Sequence, residues 1–360
     1  MVRTMTTQRD KVLVAMSGGV DSSVAACMLR DAGYEVTGAF LCLGSAGRAD
    51  GSSGCCSPQD AADARRVAET LGIDLFVLNL AEAFEVIIDD FVAEYARGRT
   101  PNPCIHCNRL VKFGRLLDRA DSLGIRYVAT GHHARLVRPP DGGGPYIARG
   151  RAIAKDQSYA LFDLPRDRLE RVLLPIGEAG DKTDIRRTAH RLGLNVHDKP
   201  DSQEVCFVPD DDYVALLRRR CPEALTPGEV VDSAGQVLGR HDGYARYTIG
   251  QRRGLGVAAG VPMYVTRIDP AAARVTIGPR EQLLSRRLSA GRANWHADVP
   301  DEFEAVVQIR YNHRGERARV RLTGPRTFEA EFHEPVLAVT PGQAAVVYDA
   351  DRLLGGGWIE

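Results

Sequence analysis

Residues 12–15 form a short β-branched apolar run, and the chain continues directly as Met16-Ser17-Gly18-Gly19-Val20-Asp21-Ser22-Ser23. Apolar residues then recur at Val24, Cys27, Met28 and Ala32, and Gly33 ends the pattern. The run predicts a buried strand and the recurrence predicts a helix. A strand that turns through glycine into a helix gathers backbone N–H groups and the positive helix end around one point, where an anion binds. Gly18 and Gly19 permit close approach and positive φ, and Ser17, Ser22 and Ser23 add hydroxyls. A Walker A loop would place a lysine here to reach the β- and γ-phosphates. This loop has none, and Asp21 stands in that region. A carboxylate beside phosphates is repulsive unless Mg²⁺ lies between them or the loop holds pyrophosphate in another way.

The pattern repeats. Residues 34–44 read as the next strand, 60–73 as a helix and 74–80 as a strand, and 118–125 followed by 127–136 continue the alternation. Strands alternating with helices predict an α/β, doubly wound parallel sheet to about Pro209. After that, short alternating runs at 228–243, 263–278 and 303–349 are separated by Gly, Pro and Asp and read as antiparallel hairpins. The expected division is 1–209 for the anion-binding, catalytic domain, 210–280 for a small central mostly-β domain, and 281–360 for a C-terminal antiparallel β-barrel. Residues 138–146 read as a surface turn, and 43–54 as a Gly/Ser-rich loop that reorders when a substrate arrives.

The chain has 360 residues, with 47 Lys+Arg against 47 Asp+Glu. Any nucleic-acid binding must therefore come from local patches, not from a global field. No leader-like start and no membrane-length apolar run is present, so a cytoplasmic protein without membrane contact is expected. In such a compartment the eight cysteines are not a stapling framework.

Residues 100–113 read Thr-Pro-Asn-Pro-Cys-Ile-His-Cys-Asn-Arg-Leu-Val-Lys-Phe. Pro101 and Pro103 fix the approach to Cys104, and Cys107 follows two residues on. A C-x-x-C pair commonly holds one nucleophilic thiol, and His106 and Arg109 stand near enough in sequence to favour thiolate. Cys206 is a distant third thiol. Structural zinc wants four ligands, usually from two pairs, and the adjacent Cys55 and Cys56 are badly spaced for one. Cys27, Cys42 and Cys221 read as inert. The adjacent His132 and His133 diverge on a strand and do not read as a metal site. Arg317, Arg319 and Arg321, at period two, form a candidate phosphate-contacting face, or a solvated barrel exterior. Arg246, Arg252 and Arg253 add to the basic candidates, and Arg218 to Arg220 also read as a helix end.

Ser-Gly-Gly-Val-Asp-Ser-Ser resembles the PP-loop of the ATP-pyrophosphatase superfamily, which cleaves ATP between the α- and β-phosphates. Together with 100–108, Ala-Thr-Gly-His-His-Ala-Arg (129–135), Lys-Asp-Gln-Ser-Tyr-Ala-Leu-Phe (155–162), Asp-Ser-Gln-Glu-Val-Cys-Phe (201–207), 248–256 and 339–348, it occurs in the order seen in tRNA-specific 2-thiouridylases of the MnmA type. The resemblance covers nearly the whole chain. It implies ATP-dependent 2-thiolation of the wobble uridine, U34, of tRNA. The C2 carbonyl oxygen would be adenylated and then replaced by sulfur, with AMP and pyrophosphate released.

The same resemblance makes Cys107 the nucleophile and Cys206 the persulfide carrier, able to form a disulfide with Cys107. It assigns Ala15, Met16, Ser17, Gly18, Gly19, Val20, Asp21, Ser22, Leu41 and Gly131 to ATP, with Asp21 helping to hold Mg²⁺. Asn102, Pro103 and Cys104 would touch the target base. His132, Lys155, Asp156, Gln157, Arg310, Tyr311 and Gln343 would contact tRNA. A cysteine desulfurase or sulfur-relay protein is the implied donor, and DNA is not a partner.

One departure matters: some relatives carry Asp where this chain has Cys104. Three thiols at Cys104, Cys107 and Cys206 also suit a [4Fe–4S] cluster with one open iron. The residues leave the persulfide and cluster readings open. A PP-loop ligase or amidotransferase on a small substrate would have no use for Cys107. A non-catalytic RNA-binding protein with a structural metal would not cleave ATP.

Overall fold

The computed structural model describes residues 9–44, 57–199, 205–208, 212–257 and 260–360. The chain divides into two compact units, residues 1–84 with 107–207, and residues 85–106 with 208–360. The expected reordering loop, 43–54, and Cys55 and Cys56 fall largely or wholly outside the described residues.

In the first unit β1 (Lys11–Met16), β2 (Glu35–Cys42), β3 (Asp74–Asn79), β4 (Tyr127–Ala129) and β7 (Val172–Leu173) form a parallel sheet in the order β3-β2-β1-β4-β7. Two short strands, β5 (Ala134–Val137) and β6 (Tyr146–Arg149), pair antiparallel around the exposed 138–145 turn. Val12, Leu13 and Val14 are fully buried, as a central parallel strand covered on both faces requires. Val12, Val14 and Met16 share a core with α1 (Val20–Asp31), α2 (Pro58–Leu71) and α6 (Lys182–Arg191). The chain steps from β1 to β2 and β3 on one side and returns to β4 on the other. The order therefore reverses at the β1/β4 boundary, where open α/β sheets bind ligands beyond the strands' carboxyl ends.

α3 (Ala81–Ala96) leads to the cysteine motif. Thr100 to Asn102 are non-helical, and Pro103 is the first residue of the short helix α4 (Pro103–Cys107), a position where its missing N–H costs nothing. Residues Asn108–Arg115 continue as a π-helix into α5 (Leu116–Ser122). The two cysteines, three apart, share a helical face.

The second unit contains a small sheet of β8 (Gly228–Val231), β9 (Val237–His241), β10 (Tyr264–Asp269) and β11 (Arg274–Gly278), in the order β10-β11-β8-β9, with α7 (Tyr213–Arg220) preceding it. It also holds β12 (Leu284–Trp295), β13 (Glu302–Gln308), β14 (Glu316–Gly324), β15 (Thr327–Leu337), β16 (Ala344–Asp349) and β17 (Arg352–Ile359). These run antiparallel in the order β12-β15-β14-β13-β16-β17, and β12 pairs with β17, closing a barrel around Val307, Val320, Phe328, Phe332 and Val347. The architecture is the expected one: an α/β parallel-sheet part, a small β part and a closed antiparallel barrel.

The register gives two of the three β14 arginines acidic neighbours across the sheet. Arg319 lies opposite Glu304 and Glu331, and Arg321 opposite Glu302 and Glu329. Arg321 pairs with Glu329 at 2.7 Å, Arg287 with Glu331 at 2.7 Å, and Arg319 lies 3.6 Å from Glu304. Cross-strand pairing thus sets carboxylates beside Arg319 and Arg321, while Arg317 lies opposite Val306. Arg220, in the last turn of α7, reaches Glu85 at 2.7 Å, consistent with a helix end.

Candidate active site

The turn between β1 and α1 is built from short local bonds. Ser22 Oγ accepts from Ser17 N at 3.1 Å and donates to Gly19 O at 3.2 Å, and Ser23 Oγ donates to Gly19 O at 2.8 Å. Gly18 has φ +70°, and a Cβ there would meet the Asp60 carbonyl oxygen at 2.4 Å. Only glycine fits, because α2 starts against the turn. Gly131, just past β4, would place a Cβ 2.7 Å from Ser22 N. Leu41 lies near the end of β2, one position beyond the residue paired with Met16. Ala15 to Ser22, Leu41 and Gly131 therefore gather at the carboxyl ends of β1, β2 and β4, around the N-terminus of α1. The cradle fits a polyphosphate: donors converge and glycines clear the space.

The lysines absent from the loop arrive from far along the chain. Lys182 Nζ lies 2.5 Å from Asp21 Oδ2. His133 Nε2 lies 3.4 Å from Asp21 Oδ1. Burial pushes the Asp21 carboxyl up, but His133 and Lys182 outweigh it and hold the group below its ordinary value. Lys199 Nζ donates to Gly18 O at 2.9 Å, to Asp60 Oδ1 at 2.5 Å and to Asp63 Oδ2 at 2.8 Å. Sequence reading missed Lys182, Lys199, His133, Asp60 and Asp63. Their only signal was the uncompensated anion loop itself.

Gln157 and His133 exchange bonds: Gln157 Oε1 accepts from His133 N at 2.9 Å, and Gln157 N donates to His133 O at 2.9 Å. Asp156 accepts from Gly150 N at 2.9 Å, Ser158 Oγ at 2.8 Å and Arg149 at 3.1 Å. These two side chains therefore brace the turn that carries His133, and Lys155 beside them is half-buried. His132 is buried, with Nδ1 2.7 Å from Thr130 Oγ1. Burial drives it well below the ordinary imidazole value, and Lys112 pushes the same way, so the ring is neutral.

Cys107 is buried and Cys206 half-buried, both in the first unit, whereas Cys104 is exposed. His106 and Arg109 have partners other than a thiolate. His106 lies 3.3 Å from Asp90 and stacks on Trp358, and Arg109 reaches the buried Asp163 at 2.6 Å. Burial pushes the Cys27 thiol up to about 11, in keeping with an inert residue. Among the described residues, no three His, Cys, Asp or Glu side chains are gathered as metal ligands.

In the second unit Gln343 Nε2 donates to the carbonyls of Thr100 at 3.0 Å and Pro101 at 3.2 Å. It thereby holds the strand of chain that leads into half-buried Asn102, buried Pro103 and Cys104. The Arg310 guanidinium donates to the carbonyls of Leu337 and Ala338, and Tyr311 beside it is exposed.

Residues 10–210 match the family described as tRNA methyl transferase HUP domain, 215–279 the tRNA methyl transferase PRC-barrel domain, and 285–359 the aminomethyltransferase beta-barrel domain. The chain is 50% identical over 358 residues to the tRNA-specific 2-thiouridylase MnmA of Carboxydothermus hydrogenoformans, covering 98% of each chain. It is 46% identical over 359 residues to the protein of the same name in Geobacter metallireducens, covering 98% of this chain and 97% of the other.

Proposed function

The chain belongs to the family of tRNA-specific 2-thiouridylases called MnmA, and from that premise we propose that it thiolates C2 of the wobble uridine, U34, of tRNA at the expense of ATP. The observation that carries the reading is the serine–glycine loop at the β1/β4 switch point, in the same unit as Cys107 and Cys206. Methyl transfer, which two of the matched domain descriptions mention, would need neither an adenylating loop nor paired thiols. A uridine carbonyl is a poor electrophile, and AMP on its oxygen makes that oxygen a leaving group.

Residues 15–22, Leu41 and Gly131 would hold ATP, its leaving pyrophosphate at the α1 N-terminus. Mg²⁺ reaches such sites with the substrate phosphates and one or two carboxylates, and Asp21 is the loop's carboxylate. Its engagement with Lys182 gives it a second task, holding an ammonium at the loop. Residues 1–209 would form the catalytic domain, 210–280 the central one and 281–360 the tRNA-contacting barrel. Asn102, Pro103 and Cys104 would meet the base, which leaves the anticodon stack to be modified.

A cysteine desulfurase or relay protein would load Cys206 as a persulfide. Its terminal sulfur attacks C2, and AMP departs with the former carbonyl oxygen. The Cys107 thiolate then attacks Cys206 Sγ. The Sγ–S bond breaks with its electron pair going to the sulfur on C2, leaving 2-thiouridine and a Cys107–Cys206 disulfide. An external thiol reductant restores both cysteines.

The test combines tRNA, ATP and a persulfide donor, and measures pyrophosphate and the nucleoside mass. Cys206→Ser should retain tRNA-dependent pyrophosphate release and lose 2-thiouridine. Absence of tRNA-dependent pyrophosphate from the unaltered enzyme would sink the reading. Stoichiometric iron and acid-labile sulfide after anaerobic purification, lost in Cys104→Ala, would replace the persulfide with a [4Fe–4S] cluster.

A further inference from the structure

Cys107 is the last residue of α4, and Asn108 is the first of the π-helix that follows. Such turns are rare and gather at functional sites. Asn108 is polar yet 1% exposed. Its Nδ2 donates to the Ala160 carbonyl at 2.9 Å, 52 positions away in the chain. Its equally buried Oδ1 has no hydrogen-bond partner among the described residues. A buried amide left half-satisfied costs stability, so the fold alone would be served as well by an apolar side chain. What the amide adds is direction.

The carbonyl it holds belongs to the 3-10 turn Ser158–Leu161, and Ala160 N donates to Gln157 O at 3.1 Å. Gln157 exchanges two bonds with the His133 backbone, and the His133 ring lies against Asp21. Arg109, the next residue, adds a second hold by reaching Asp163 at 2.6 Å, just beyond the same turn. Each link from Cys107 to the nucleotide loop is thus a bond or a close polar contact within the first unit.

We propose that Asn108 is a positioning residue that sets the Cys107 thiol for its attack on Cys206 Sγ. The proposal rests on the reading of Cys107 and Cys206 given above. One helical peptide joins Cys107, at φ −60° and ψ −44°, to Asn108. Fixing the Asn108 side chain at Ala160 therefore fixes the rotation of the helix about its axis, and with it the direction in which the Cys107 side chain leaves. The Cys107 step comes last in the reaction. Its thiolate attacks Cys206 Sγ, the Sγ–S bond breaks, and the electron pair goes to the sulfur on C2. Adenylation and pyrophosphate release precede it and need nothing from Asn108.

The experiment loads the full-length enzyme with persulfide, adds tRNA and ATP without an external thiol, and follows one turnover. Pyrophosphate reports adenylation, and free tRNA carrying 2-thiouridine reports the last step. A non-reducing gel reports tRNA still held on Cys206 through its sulfur, an adduct that dithiothreitol releases. Asn108→Leu keeps a similar volume and removes the orphaned acceptor along with the donor, which favours folding. In it pyrophosphate should appear at the unaltered rate, product release should slow about tenfold to a hundredfold, and the adduct should accumulate. Asn108→Gln restores an amide and should release product faster than Asn108→Leu.

A residue that only supported the fold would slow pyrophosphate and product together, with no adduct. That pattern overturns the proposal, as does product release at the unaltered rate in Asn108→Leu. Should Asn108→Leu lack a cooperative melt, Asn108→Ser, too short to reach the Ala160 carbonyl, is judged by the same criteria. Cys107→Ser separates the proposal from the reading beneath it, and should trap the adduct. Product released at the unaltered rate from Cys107→Ser would end that reading and the proposal with it. A trapped adduct there, beside normal release from Asn108→Leu, would end the positioning role alone.

Discussion

Asp21 and Lys182 lie 161 positions apart and meet at 2.5 Å, carboxylate to ammonium, at the first turn of α1. The pair resolves the chemical oddity of the loop: the acid that would repel phosphates is neutralised, and the missing cation is supplied by α6. Asn at position 21 would remove the carboxylate that the largely buried Lys182 ammonium meets. Asp21→Asn should therefore cost about 2 kcal/mol at neutral pH, between the figures for buried and surface pairs.

The pH dependence of that cost has a definite sign. Asp21 is held below its ordinary value, so the pair's stabilisation is complete above the unfolded carboxylate value of about 3.9 and is lost as pH falls through the lowered native value. Thermal melts of the two proteins should differ by a constant margin down to about pH 5 and converge below about pH 4. A margin that persists into stronger acid would place the stabilisation elsewhere.

Gly131 allows the end of β4 to pass against α1. Gly131→Ala would drive a methyl to within 2.8 Å of the Asp21 carbonyl carbon and 2.7 Å of Ser22 N, shifting the loop's donors. Displacements of that order cost about tenfold to a hundredfold in rate. The loss should appear in tRNA-dependent pyrophosphate release, with circular dichroism unchanged. Release at the unaltered rate would mean that Gly131 does not set the loop.

Gln343 holds two carbonyls just before the cysteine motif. Gln343→Leu leaves both without this donor and should cost about 1–3 kcal/mol. Amide hydrogen exchange across 100–104 should quicken, and the KM for tRNA should rise. Exchange at the unaltered rate in that segment would remove Gln343 from any role in presenting it.

Arg321 is balanced by Glu329 on the barrel exterior. Arg321→Ala should leave the salt dependence of tRNA binding unchanged, because no phosphate contact is lost. A fall in the logarithmic salt slope of about one would restore β14 as an RNA contact.

The first strand, the glycine turn and the alternation of helices and strands are written locally: β-branched runs, helical spacing and Gly or Pro at element ends each act within a few residues of chain. Gly18 is legible for the same reason, since positive φ is a property of one residue. The barrel strands are equally plain from their period of two. The sign of the β14 face is not, because only the antiparallel register places Glu302, Glu304, Glu329 and Glu331 against its arginines.

From local pattern alone the chain shows a strand turning through glycine into a helix, with thiols elsewhere that a site could use. Tertiary structure alone decided what surrounds that turn. Lys182, Lys199, His133 and Asp60 have no spacing relation to the loop. Lys182, Lys199 and His133 meet it because the sheet order turns at β1, bringing β4 and the chain that follows back beside the first turn, and Asp60 meets it because α2 starts against that turn. Burial there lowers the local dielectric, so unpaired charges would be too costly to leave. The partners are set by that electrostatic demand and not by any pattern along the chain.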